Sequence, residues 1–126
     1  MTGEDARTFA EEWAAAWNEL AVERVLTYFH DQVSFTSPTA LTVVGVPTVD
    51  GKQALRDYWA RAVAHVGSLQ FAVERVLWDP STRELAIIYE AEIAGRKRRV
   101  SEHLTFGADG LVISAEVFHG VETSRR

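Results

Sequence analysis

Glu102 is the residue with the clearest capacity for chemistry, because its position places a carboxyl group among apolar side chains. Residues 97–106 alternate with a period of two, and Glu102 shares the parity of Val100, Leu104 and Phe106. Burying an ionised, unpaired carboxylate costs several kcal/mol. We therefore expect Glu102 to have a polar partner, to stay protonated or to line a cavity. A carboxyl group in such surroundings is a candidate general acid or base.

Tyr89 is the predicted partner of Glu102. A two-residue turn at Gly95-Arg96 sets Tyr89 directly opposite Glu102 in the hairpin that the turn connects. The same register also matches the apolar faces of the two strands. Two interpretations stay open: the pair is a satisfied polar contact of the core, or it faces a ligand.

His119 and Arg98 have inward parity at the ends of the last two predicted strands and extend the candidate site. A two-residue turn at 108–109 leaves His119 about 13 Å beyond Glu102 along the strand. A four-residue loop instead places Val117 opposite Glu102 and His119 diagonal to it, roughly 7–8 Å away. Both registers are compatible with the sequence. Arg98 could reach a ligand carboxylate near His119.

The sequence contains one basic run but none of the common metal, phosphate or hydrolase motifs. The basic run, residues 96–99, fits a solvated hairpin tip, or a site that binds a phosphate or an acidic partner. His103 points away from its neighbour Glu102, and no HxH or HExxH spacing occurs, so we expect no metal site. The glycines form no phosphate-binding loop, and there is no GxSxG motif. We expect no cofactor.

Composition limits the possible classes of function. With 126 residues, of which 47% are hydrophobic, the chain can close one core, so we predict a single domain over 1–126. The net charge of −5 repels nucleic acids and anionic membranes, and we expect neither as a partner. Without cysteine there are no disulfides or thiol nucleophiles. The acidic start and the lack of a long apolar run predict a soluble, cytoplasmic protein.

The elements that must position these residues form a helical first half and a β second half. A capping box at residues 2–5 opens the first helix, a second covers 22–29, and Asp50 caps a third that stops at Gly67. Segment 38–49 contains Gly45 and Pro47, so we expect no helix there. Strands are predicted at 33–37, 69–78, 84–94, 97–106 and 111–119. This order predicts an α+β fold, a cone-shaped, curved antiparallel sheet wrapped around three helices of the N-terminal half.

Apolar residues that the predicted elements present on their two faces suggest a pocket and an interface. Trp13, Trp17 and Trp59 lie on inward helix faces and fit either the core or the wall of a pocket for a small apolar molecule. The outer sheet face has an apolar set that predicts a homodimer. Its members by parity are Ala72, Val76, Trp78, Ala86, Ile88, Val112 and Phe118.

The order of elements and two local strings resemble a known superfamily. The strings are FHDQVSFTSP at 29–38 and VDGKQALRDYW at 49–59. Together they resemble the nuclear transport factor 2-like superfamily, and most of all its branch of SnoaL-like polyketide cyclases and ketosteroid isomerases. The resemblance covers nearly the whole chain. It implies a cone-shaped domain with a pocket between sheet and helices, and in many members a homodimer.

The resemblance also assigns roles to single residues. The general base of the isomerases falls at Ser37, which implies that ketosteroid isomerisation is absent. Their oxyanion-hole tyrosine falls at Trp13 and its supporting tyrosine at Trp59. The oxyanion-hole carboxylic acid falls at Glu102, the residue that parity also selects. A pocket aromatic falls at His119.

Two functions of different classes are compatible with these residues. In the first, Glu102 is a general acid or base, Tyr89 tunes it, and His119 polarises the ligand or shuttles a proton. Such a site suits isomerisation, cyclisation or hydration of an apolar carbonyl compound. The predicted pocket residues are Trp13, Trp17, Ser37, Trp59, Arg98 and Val117. The alternative is a non-catalytic ligand-binding or dimeric assembly module. In either case segment 39–49 is long enough to form a lid that changes the shape of the pocket entrance.

Overall fold

The computed structural model describes residues 1–123 and contains four helices and six strands. The helices are α1 (Gly3–Asn18), α2 (Val22–Leu26), α3 (Pro38–Val44) and α4 (Lys52–His65). The strands are β1 (Phe29–Thr36), β2 (Thr48–Asp50), β3 (Leu69–Asp79), β4 (Glu84–Ile93), β5 (Arg96–Phe106) and β6 (Val112–Glu122). All four helices lie in the N-terminal half. The predicted α+β fold, a curved sheet wrapped around N-terminal helices, is confirmed.

The six strands form one sheet in the order β2-β1-β6-β5-β4-β3. Strands β3 to β6 form the predicted antiparallel meander. Strand β1 pairs in parallel with β6, so the sheet is mixed rather than wholly antiparallel. A parallel pair needs a long crossover connection, and the chain from α3 through β5 supplies it here.

Helix α1 begins at the predicted capping box and covers the inner face of the sheet. The Thr2 Oγ1 atom accepts a hydrogen bond from the Asp5 N–H at 3.1 Å, and the Asp5 carboxylate accepts one from the Thr2 N–H at 2.8 Å. Ala6 and Ala10 are fully buried in the same stripe as Trp13. Ala6 and Ala10 lie on successive turns of α1. Their small side chains need little space between the helix and the sheet, so the helix backbone can approach the strands closely.

Segment 38–49 holds a helix, contrary to the prediction. Ser37 is the N-cap of α3 and accepts a hydrogen bond from the Thr39 N–H at 3.1 Å. Pro38 occupies the first turn, where its missing N–H costs nothing. Gly45 ends the helix in the left-handed conformation, with φ 84°. Gly45 and Pro47 therefore terminate a seven-residue helix instead of excluding one.

Two other predicted boundaries are also wrong. Helix α2 ends at Leu26, and β1 begins at Phe29, before the predicted strand 33–37. Asp50 is the last residue of β2, where it cannot act as the helix cap. Gly51 is the N-cap of α4 and makes no side-chain capping bond.

Irregularities in β3 and β6 exchange the faces of several residues. A bulge in the middle of β3 turns Val76 and Trp78 toward the core and leaves Leu77 58% exposed. A register shift at the start of β6 buries Val112 and exposes Ile113. One extra residue in a strand reverses the parity of everything beyond it. The predicted outer set was therefore wrong at Val76, Trp78 and Val112, which face inward.

Candidate functional site

The β4–β5 hairpin brings Tyr89 to Glu102 by a different register from the predicted one. Ala94 and Gly95 form its two-residue turn, with φ of 53° and 83° as a type I′ turn requires. Tyr89 consequently lies opposite Val100. The observed register differs from the predicted one by two residues. Because two is an even number, Tyr89 and Glu102 still point to the same face of the sheet, where they are diagonal neighbours. The Tyr89 Oη donates a hydrogen bond to Glu102 Oε1 at 3.1 Å, which confirms the predicted contact.

A cavity of about 130 Å³ lies between the sheet and helices α1, α3 and α4. Its wall is mainly apolar, and its polar lining residues are Ser37, Thr39, Tyr58, Tyr89, Glu102 and His119. An engineered apolar cavity of about 150 Å³ holds a benzene molecule. The enclosed space therefore fits one ring-sized apolar group, and a longer ligand would extend through the mouth.

Glu102 is a carboxyl group that can exchange a proton near neutral pH. It is 5% exposed. Burial raises the pKa of Glu102 from its ordinary 4.5 to about 7, and the Tyr89 hydrogen bond opposes that rise. Since its pKa lies near 7, both the acid and the carboxylate are populated at neutral pH, as a general acid or base requires.

Two tyrosines flank this carboxyl group as neutral hydrogen-bond donors. Burial and the nearby Glu102 raise the pKa of Tyr89 well above its ordinary value. Burial also raises the pKa of Tyr58, and hydroxyl groups of Ser37 and Thr39 partly offset that increase. Tyr58, which is 4% exposed, is not among the site residues that the sequence predicts. A signal was available, because Tyr58 lies one helical turn after Leu55 on the buried stripe of α4.

The β5–β6 hairpin decides the position of His119. Val117 lies opposite Glu102 and His119 opposite Val100. Of the two registers that the sequence allowed, the structure therefore has the one in which His119 is diagonal to Glu102. His119 lines the cavity at its rim, where the residue is exposed.

Arg98 and His119 form a hydrogen bond at the cavity mouth. The Arg98 Nη1 lies 3.1 Å from His119 Nδ1. A guanidinium group has only donors, so the His119 Nδ1 accepts and the neutral ring holds its hydrogen on Nε2. Burial and the Arg98 charge lower the pKa of His119, which favours this neutral form. Arg98 lines a groove outside the mouth rather than the cavity itself, in contrast to the predicted pocket position.

The tryptophans divide between the cavity and the core. Trp17 and Trp59 line the cavity and meet edge to face, with ring centroids 4.9 Å apart. Trp13 is fully buried and does not line the cavity, in contrast to the prediction. It lies behind Tyr89, with ring centroids 5.1 Å apart, because the alanine-rich α1 packs too close to the sheet for a pocket there. Trp13 therefore fixes the orientation of Tyr89.

The described residues contain no cluster of metal-binding side chains. Within 1–123, no three His, Asp or Glu side chains come together to hold a metal ion. The helices of the described part are too short or too polar to cross a bilayer.

A family model described as a SnoaL-like domain matches residues 10–115. No curated protein shows significant sequence similarity to the chain. Among solved structures, a SnoaL-like protein from Burkholderia thailandensis is 27% identical, with a TM-score of 0.84 over 95% of this chain and 98% of that one. An NTF2-like protein from Burkholderia pseudomallei is 14% identical, with a TM-score of 0.78 over 94% and 92%. A protein with a ketosteroid isomerase-like fold from Catenulispora acidiphila, solved with trimethylamine, is 16% identical, with a TM-score of 0.66 over 86% and 82%.

Proposed function

The chain belongs to the SnoaL-like domain family, and we propose that its cavity binds an apolar carbonyl compound on which Glu102 acts as a general acid or base. One observation carries the proposal. Glu102 is a buried carboxyl group with a pKa of about 7, it lines a mainly apolar cavity, and Tyr89 holds it in place. A group with these properties suits proton transfer at neutral pH.

The residues around the cavity support distinct roles in such a reaction. Protonated Glu102 donates a hydrogen bond to the carbonyl oxygen of the ligand and transfers its proton as the enol forms. The proton lost from the α-carbon passes to water at the mouth, and neutral His119, whose Nδ1 accepts from Arg98, contributes its Nε2–H as a hydrogen-bond donor to the ligand. Tyr89 positions the Glu102 carboxyl group, and Tyr58 provides a second neutral donor. This chemistry is the common first step of isomerisation and of aldol-type cyclisation.

A non-catalytic binding module is the second candidate, and Ser37 favours it. Within the described cavity lining, Glu102 is the only carboxylate. Ser37 has the position at which the ketosteroid isomerases have their base, and its hydroxyl oxygen caps α3. A serine hydroxyl is not a base at neutral pH, so the cavity has no second carboxylate to remove a proton. In this module, Glu102 and Tyr89 would only satisfy each other.

Titration of Glu102 by carbon-13 NMR separates the two candidates. We expect its pKa of about 7 to rise further when cyclohexanone binds, because the protonated form donates to the ketone oxygen. Glu84 is exposed on β4 and is the internal control, since its chemical shifts should not change on addition of the ketone. An ordinary acidic titration of Glu102, without response to cyclohexanone, would favour the binding module and contradict the catalytic proposal.

We also propose that the chain forms a homodimer through the outer face of its sheet. The exposed apolar residues there are Leu77 at 58%, Phe118 at 44% and Ile113 at 41%. Light scattering at micromolar concentration is expected to give twice the chain mass of 14.1 kDa.

Phe118→Glu should give a monomer, because it places a charge in an apolar interface. Leu41→Glu, on exposed α3, is the control that stays dimeric, and a monomeric wild-type protein would refute the proposal.

A further inference from the structure

A cationic groove continues outward from the mouth of the cavity. Its wall includes Arg96, Lys97 and Arg98. It shares Thr39, Val66, Ala91, Ile93, Val100 and His119 with the cavity, so the two spaces adjoin. The chain as a whole has a net charge of −5. The wall of the groove holds these three cations against one carboxylate, Glu122, so this part of an acidic protein would attract an anion.

The three arginines of this hairpin differ in how their charge is compensated. Arg96 forms an ion pair with Glu122 at 2.6 Å, and Glu122 also lines the groove. Arg99 points to the other face of the sheet and forms an ion pair with Glu74 at 2.9 Å. Arg98 makes no ion pair within residues 1–123, and its described side-chain contact is the hydrogen bond to His119. The Arg98 guanidinium thus retains donors that are directed at the groove.

Strand β5 aligns Arg98 with the buried acid. Arg98, Val100 and Glu102 alternate along the inner face, so an apolar side chain separates the two polar ends. Four residues of strand rise span about 13 Å between the backbone positions of Arg98 and Glu102. A ligand that uses both groups has a carbonyl group at its buried end, an apolar middle, and a charged group at its outer end.

We infer that the natural ligand is an amphipathic carbonyl compound with a carboxylate, which Arg98 binds at the cavity mouth while the apolar body fills the cavity. The planar fork of a guanidinium matches the two oxygens of a carboxylate. His119 assists, because its neutral ring presents the Nε2–H as a further donor. This inference rests on the proposed function and specifies its substrate class.

A pair of matched ligands tests the inference by calorimetry. The probes are 3-(2-oxocyclohexyl)propanoate and its primary amide, which differ in charge but hardly in shape. We expect wild-type protein to bind the acid about tenfold more tightly than the amide, as one charge-assisted contact provides. Arg98→Gln should bring the ratio close to one without weakening the binding of the amide. Arg99→Gln removes a neighbouring cation on the opposite face and should leave the ratio unchanged.

The outcomes distinguish this inference from the function on which it rests. Binding of both probes with a ratio near one in the wild type, or a ratio that Arg98→Gln does not change, overturns the carboxylate anchor and leaves the pocket proposal intact. An equal loss of the preference in Arg99→Gln also overturns it, because a general charge effect would then explain the result. If neither probe binds at millimolar concentration, both proposals fail.

Discussion

Glu102→Gln is expected to slow the exchange of the α-protons of cyclohexanone in deuterated water by about 10²- to 10⁴-fold relative to the wild-type protein. Glutamine has nearly the same shape and can still accept the Tyr89 hydrogen bond, but it cannot give up or take a proton. The wild-type carboxyl group has a pKa of about 7 and can do both. Proton NMR of the ketone at pH 7 measures the exchange rate directly.

Tyr89→Phe provides the matched control for the exchange measurement. Its hydroxyl group lowers the pKa of Glu102, so its removal should move the pH profile of exchange to higher pH without abolishing the activity. Packing against Trp13 and Phe71 should persist, because these are ring contacts. Wild-type exchange no faster than that of buffer would contradict the acid–base role and leave the binding module as the function.

Parity along the strands was sufficient to predict the pair at the centre of the site. Glu102 lies among Val100 and Leu104 in an uninterrupted alternation, so its inward direction does not depend on the partner strand. The hydrogen bond to Tyr89 forms although the predicted register was wrong, because a displacement by two residues preserves the face. The register of the β4–β5 hairpin depends on which two residues of the turn adopt a positive φ. Ala94 is one of them, and because alanine rarely adopts a positive φ, the sequence does not indicate that the turn begins there.

The errors arose where a local irregularity outweighed a periodic pattern. A single bulge in β3 turned Leu77 outward and Trp78 inward, and alternation cannot show an inserted residue. Helix α3 was missed because its run of β-branched residues is atypical of helices, while the Ser37 cap and Gly45 stop secure both ends. Trp13 was assigned to the pocket on its helical face alone, and the face of a helix does not determine how closely the helix packs.

The stability of the protein is expected to fall as the pH rises through neutrality, because of Glu102. Its pKa is about 7 in the folded protein, against an ordinary value of 4.5. The stabilising contribution is therefore fully present below pH 4.5 and is lost as the pH rises through 7. The whole change amounts to about 3 kcal/mol in the free energy of unfolding. Urea denaturation at a series of pH values from 4.5 to 8.5 measures it.

Glu102→Gln isolates this effect from the other groups that titrate in the same range. His119 acts in the opposite sense, because its pKa is lowered in the folded protein, so its contribution is present above its ordinary 6.5 and is lost as the pH falls. Both proteins retain His119, and the difference between their unfolding free energies therefore reports Glu102 alone. We expect the wild type to lose about 3 kcal/mol relative to the variant between pH 4.5 and 8.5. Parallel curves would mean that Glu102 is ionised at little cost in the folded state, and such a carboxylate could not donate a proton to a ligand at neutral pH.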